Sequence, residues 1–208
     1  GDGAADRRRP AVVMFVDMAG YTTLSESLDP AEASALLQRF RAHLSTIAAR
    51  HRGIIEKFVG DGAMILFGVP EPDLQDPVNA LGCARDMAES PPAMDGEAAP
   101  ARWGLHIGLH YGPVSLARIG DQTRAEITAT GDTVNVASRL EAATRDFGAT
   151  IAASGAVVES VRAAGHLDLL AGFRRQPDVL LRGRQEPIDL WLWTGPMEDD
   201  RPAAGTCG

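Results

Sequence analysis

The chain has 208 residues and a mass of 22.0 kDa, a size that suits one domain with a short tail. Its composition, 45% hydrophobic and 23% charged with few aromatics, is that of an ordinary globular protein with an aliphatic core. A net charge of −8 argues against broad binding to nucleic acid or anionic membrane, and no apolar run approaches the ~18 residues of a membrane helix.

Residues 1–9 read as a flexible leader that carries the cluster Arg7-Arg8-Arg9 and lacks the apolar segment of a signal peptide. A first residue other than Met leaves room for an upstream regulatory, sensory or tethering segment. Residues 10–195 are expected to form one domain, and 196–208 a disordered tail. Two cysteines, Cys83 in a helical pattern and Cys207 in the tail, are too few for a disulfide framework. They fit a reducing compartment, and a cytoplasmic domain is expected.

Residues 11–17 read as a buried strand that ends at Asp17. Asp29, Pro30 and Glu32 then supply an N-cap, a first-turn proline and a capping-box spacing. Leu36, Leu37, Phe40, Leu44 and Ile47 follow at helical spacing, and Gly53 ends the helix. Residues 54–59 and 63–67 are short strands joined by Gly60-Asp61-Gly62, a hairpin signature. Asp76-Pro77 starts a second helix with Leu81, Ala84 and Met87 as its stripe, and a Pro/Gly-rich loop follows at 91–96. Residues 103–110 and 114–119 read as two strands, with a turn at Tyr111-Gly112-Pro113. A short strand at 126–129 precedes a third helix from Gly131-Asp132, with Val136, Leu140, Ala143 and Phe147 as its stripe. Asn135 and Arg139, four apart, share one flank of that stripe. A strand at 150–153, a helix at 155–164 and a run of short strands over 166–193 complete the pattern.

The first six elements run strand, helix, strand, strand, helix, strand. The expected fold is therefore α+β, a ferredoxin-like βαββαβ core with additional C-terminal strands and helices, the sheet flanked by helices. In that topology the first and second strands run the same way, with the third antiparallel between them, so Asp17 and Asp61 fall on one edge. An aspartate at a strand end or in a turn is common for conformational reasons alone. Two that converge repel each other unless a cation lies between them. All-oxygen ligation suits Mg²⁺ or Mn²⁺.

Four stretches carry a family resemblance. Phe15-Val16-Asp17-Met18-Ala19-Gly20-Tyr21-Thr22 resembles the F-x-D-x-x-G-[FY]-[ST] signature of class III nucleotide cyclases. Lys57-Phe58-Val59-Gly60-Asp61-Gly62, Gly108-Leu109-His110-Tyr111-Gly112-Pro113-Val114 and the segment from Gly131 to Glu141 are similar to three further motifs of that family, in the same order. The resemblance implies two divalent ions per active site, Mg²⁺ or Mn²⁺, on Asp17, Asp61 and the backbone carbonyl of Met18. It implies that Asn135 orients the ribose, that Arg139 stabilises charge on the α-phosphate, and that Arg184, with Arg182 as competitor, grips the terminal phosphates.

Lys57 and Thr128 stand at the family's base-recognition positions and suit adenine, so ATP is the expected substrate and cyclic AMP the product. His106 stands where many members carry an Arg that contacts the triphosphate. The family works as head-to-tail dimers, so the resemblance implies a homodimer with composite active sites. A non-catalytic nucleotide-sensing or dimerisation module and a guanylate cyclase are the alternatives.

Overall fold

β1 (Arg8–Met18) is the strand on which the sheet is built. Val12, Met14, Val16 and Met18 enter one apolar cluster and Ala11 and Val13 the other, so the strand is buried on both faces and reads as one apolar run. The computed structural model describes residues 8–90, 104–120 and 125–195; the loop at 91–96, Trp103, the first seven residues and the segment from 196 onward, with Cys207, lie outside them. β1 starts three residues earlier than the sequence suggests. Arg8 and Arg9 pair with Ser115 and Val114 and so belong to the strand, not to a leader.

A short helix, α1 (Tyr21–Ser27), begins at Gly20, whose φ of 74° favours glycine. α2 (Pro30–Arg50) follows with the capping box in place: Ala31 N–H donates to Asp29 Oδ1 at 3.3 Å, and Asp29 N–H donates to Glu32 Oε2 at 3.2 Å. Its buried face is Leu36, Phe40, Leu44 and Ile47. β2 (Ile54–Val59) and β3 (Gly62–Phe67) form the expected hairpin, with an irregularity at Glu56. α3 (Asp76–Glu89) completes the first half.

β4 (Leu105–Gly120) corrects an expectation, because it is one continuous strand without a turn at Tyr111-Gly112-Pro113. Pro113 lies opposite Pro10 in the β1 ladder. Neither has an N–H, so the pair suits a position where the antiparallel ladder exchanges no bonds. Gly112 is small for a different reason: a Cβ there would meet Thr133 Oγ1 at 2.7 Å.

The near part of β4 pairs with β1 and its far part with β5 (Ala125–Thr130). α4 (Asp132–Asp146), β6 (Ile151–Ser154) and α5 (Gly155–Ala163) follow. The segment read as short strands over 166–193 is a 3₁₀ turn at Leu167–Leu170 and a hairpin of β7 (Arg174–Val179) and β8 (Ile188–Trp193).

The strand order is β2-β3-β1-β4-β6-β8-β7, with β5 on β4. β1 and β2 run the same way with β3 antiparallel between them, as the split βαβ pattern requires. α2, α3 and α5 pack on one face of the sheet through Phe40, Leu44, Leu81, Met87 and Val158. α4 covers the other face through Ala137, Val136 and Leu140. Phe147, expected in its stripe, is instead the C-cap and is 37% exposed. Each fully buried Leu or Phe contributes roughly 1.5–3 kcal/mol of transfer free energy, so two filled layers fix the sheet between them.

Candidate active site

Asp17, the penultimate residue of β1, lies directly opposite Gly62, the first residue of β3, and Asp61 is in the turn just before it. The two carboxylates therefore meet because β1 and β3 are ladder neighbours. Met18 N–H donates to Asp17 Oδ1 at 3.0 Å and also approaches the Asp61 carbonyl oxygen at 3.4 Å. A Cβ on Gly62 would fall 2.7 Å from the Val16 carbonyl oxygen and 3.3 Å from Asp17 Oδ1, so only glycine leaves this cradle open. Gly60 has φ 57° and closes the hairpin. Arg41 of α2 clasps that turn: its Nη2 donates to the Gly60 carbonyl at 3.0 Å, and its guanidinium lies 5.0 Å from the Phe58 ring centre.

Burial, then the charge of Asp17 and a hydrogen bond with it, push the Asp61 carboxyl above the usual aspartate range. A depression of about 420 Å³ opens over the pair, lined also by Val59, Gly62, Ser138 and Glu141. Met18 itself is 3% exposed with its side chain in the core, so only its backbone can serve the site.

α4 comes down onto β4 because Gly108 lets it. A Cβ there would lie 2.2 Å from Glu141 N and 2.5 Å from the Ala137 carbonyl oxygen. That approach delivers Glu141 and Arg145 to Asp17, a pair the sequence reading missed. Arg145 donates from Nη2 to Asp17 Oδ2 at 2.9 Å and from Nη1 to Glu141 Oε1 at 2.7 Å. The i, i+4 spacing of Glu141 and Arg145 was visible in sequence, but nothing local points it at Asp17. His106, opposite Asp17 in the β1–β4 ladder, bonds through Nδ1 to Thr144 Oγ1 at 2.8 Å. Burial, and then the charge of Arg145, lower its proton affinity.

The other expected site residues face elsewhere. Asn135 is exposed and Arg139 half-buried on the outward flank of α4. Arg139 lines a second depression, of about 510 Å³, with Asp146, Phe147, Leu180 and Arg182. Its Nη2 lies 3.3 Å from where a Cβ on Gly183 would be. The two depressions share Ser138 alone, so the ridge of α4 separates Asp17 from Arg139 within one chain. Arg184 is tied to Asp132, Nη1 to Oδ2 at 2.9 Å, whereas Arg182 lies in the depression with Arg139. Lys57 is half-exposed, its Nζ 3.5 Å from Oε2 of the enclosed Glu56. β5 comes into contact with β2, which brings the strand of Thr128 beside the strand of Lys57.

The sheet edge thus carries two converging carboxylates, and the flank of α4 an exposed Asn135 and a half-buried Arg139. The family model described as the adenylate and guanylate cyclase catalytic domain matches residues 4–194, and the chain belongs to that family, the class III nucleotide cyclases. Adenylate cyclase 1 of Rhizobium meliloti is 33% identical over 198 residues, 93% of this chain. An adenylate cyclase of Anabaena cylindrica is 29% identical over 197 residues, 91% of this chain. The chain spans only 29% and 37% of the length of these two relatives.

Among solved structures, the adenylyl cyclase CyaB from P. aeruginosa matches with a TM-score of 0.74 at 24% identity, covering 93% of this chain and 97% of that one. The guanylyl cyclase Cya2 matches at 0.69 and 25% identity, covering 93% and 95%. Proteins named for either base thus share this fold. Among the described residues, no helix is long and apolar enough to cross a membrane.

Proposed function

We propose that the chain converts ATP to 3′,5′-cyclic AMP and pyrophosphate at sites each assembled from two copies of the chain. The observation that carries this reading is the division across α4. Asp17 and Asp61 open on one side of the ridge, and Arg139 and Arg182 on the other. Both mouths carry exposed apolar side chains, Val59 (57%) at the first and Leu180 (62%) with Phe147 at the second, which suits closure by another copy.

The donor set at the first mouth fits a hard divalent ion, Mg²⁺ or Mn²⁺. Two carboxylates converge there, the proton affinity of Asp61 is raised partly by Asp17, and Gly62 keeps the cradle open. Asp17, Asp61 and the Met18 carbonyl would hold two such ions. When bound, they would acidify the ribose 3′-hydroxyl and neutralise the triphosphate. The chain's own groups do the rest by position. Asn135 orients the ribose, and the planar guanidinium of Arg139 donates to the α-phosphate oxygens as charge grows there. Arg182 and Arg184 flank the turn that would take the terminal phosphates, with Arg184 first leaving Asp132. The 3′-oxygen forms its bond to the α-phosphorus in line as the bond to pyrophosphate breaks. Lys57 donates to adenine N1 and Thr128 Oγ1 accepts from the 6-amino group, while Glu56 steadies the Lys57 ammonium.

The test is to incubate the purified protein with Mn²⁺ and either ATP or GTP and to quantify both cyclic products. Cyclic AMP from ATP is expected to dominate, and Lys57→Glu to lower the ATP-to-GTP preference at least tenfold, the scale of one mispaired base edge. No cyclic AMP over a wide range of protein concentrations would contradict the proposal.

A further inference from the structure

The carboxylate pair already has a cation beside it. Arg145 reaches Asp17 Oδ2 at 2.9 Å, while Met18 N–H engages Oδ1 at 3.0 Å. Both oxygens of Asp17 are thus occupied from within the chain. The second anchor of Arg145 is Glu141, bonded at 2.7 Å, whose side chain is 15% exposed and lines the same depression as Asp17 and Asp61.

We propose that Arg145 is an exchangeable counter-cation of the metal site. It holds Asp17 while no ion is bound, competes with the ion for Oδ2, and retreats onto Glu141 when the ion arrives. The inference rests on the reading of Asp17 and Asp61 as metal-binding residues. Three features support the exchange over a fixed structural pair. The Arg145 side chain is 44% exposed, so releasing Asp17 costs little against water and salt. Glu141, one helical turn back, keeps a partner for the guanidinium after release. A divalent ion carries twice the charge of the Asp17 carboxylate, so at comparable distance it would repel the guanidinium more strongly than Asp17 attracts it. Arg145 is therefore a positioning residue that sets how much metal the site requires.

The test measures Mn²⁺ binding directly, by the electron paramagnetic resonance signal of free Mn²⁺, on metal-free wild type, Arg145→Gln and Asp17→Ala, with thermal melts of each with and without Mn²⁺. Arg145→Gln is expected to bind Mn²⁺ on the order of threefold to tenfold more tightly, because a nearby positive charge is removed. Its melting temperature is expected to fall below wild type without metal and to come level with it at saturating Mn²⁺. A merely structural Arg145 would lower both melts alike. Unchanged or weaker Mn²⁺ binding in Arg145→Gln, with binding lost in Asp17→Ala, would overturn this inference and leave the metal site standing. Equal Mn²⁺ binding by wild type and Asp17→Ala, or none by either, would overturn both.

Discussion

Asp61 is the residue at which the site's internal tension is concentrated. Burial and the neighbouring Asp17 hold its carboxyl above the ordinary aspartate range, against the pull of Arg145. Between the unfolded value of about 3.9 and the raised folded one, the native chain binds a proton that the unfolded chain has released. Stability from this group therefore falls as pH rises through that window. Without metal, Asp61→Asn should melt above wild type at pH 7, with the gap closing as pH is lowered toward about 4. Saturating Mn²⁺ should reverse the order, since only the wild-type carboxylate gains from the ion. Differential scanning calorimetry over that pH range is the check, and a pH-independent gap would contradict the account. Both aspartates were legible in sequence because each ends a strand-like run beside small residues. Arg145 was not, since its partner Asp17 lies 128 residues away and is reached only through the packing of α4.

Elements show the same division between local and non-local signals. The capping box of α2, the Gly60-Asp61-Gly62 hairpin and the βαββαβ order rest on chemistry within a few residues, and each is in the structure. The continuity of β4 depends on what lies across the sheet: Pro10 opposite Pro113, and Thr133 against Gly112. Read locally, Tyr111-Gly112-Pro113 is a turn. Read in the ladder, it is the straight middle of the longest strand among the described residues. Gly108 is the counterpart on which the site depends. Gly108→Ala places a methyl 2.2 Å from Glu141 N, a backbone atom that cannot rotate away, so α4 must shift. A loss of about 1–3 kcal/mol is expected, typical of overpacking, together with a drop in cyclase activity larger than the stability loss explains. Denaturant unfolding beside initial rates checks this. Full activity with wild-type stability would show that α4 tolerates the shift.

At the scale of the whole molecule, one chain opens two depressions on opposite sides of a helix ridge. Asp17 and Asp61 carry negative charge at one mouth, while Arg139 and Arg182 carry positive charge at the other. Lys57 and Asp61, four residues apart on one hairpin, would on this reading serve different active sites. The most direct measurement mixes two inactive variants, Asp17→Ala and Arg139→Ala, and follows cyclic AMP formation. Each alone lacks one half of every site, but in a mixed dimer one of the two sites regains all its groups. About a quarter of wild-type activity is the expected ceiling for random pairing, since half the dimers each regain one site of two. No recovery, with mixed dimers shown to form, would contradict a site shared between two copies of the chain.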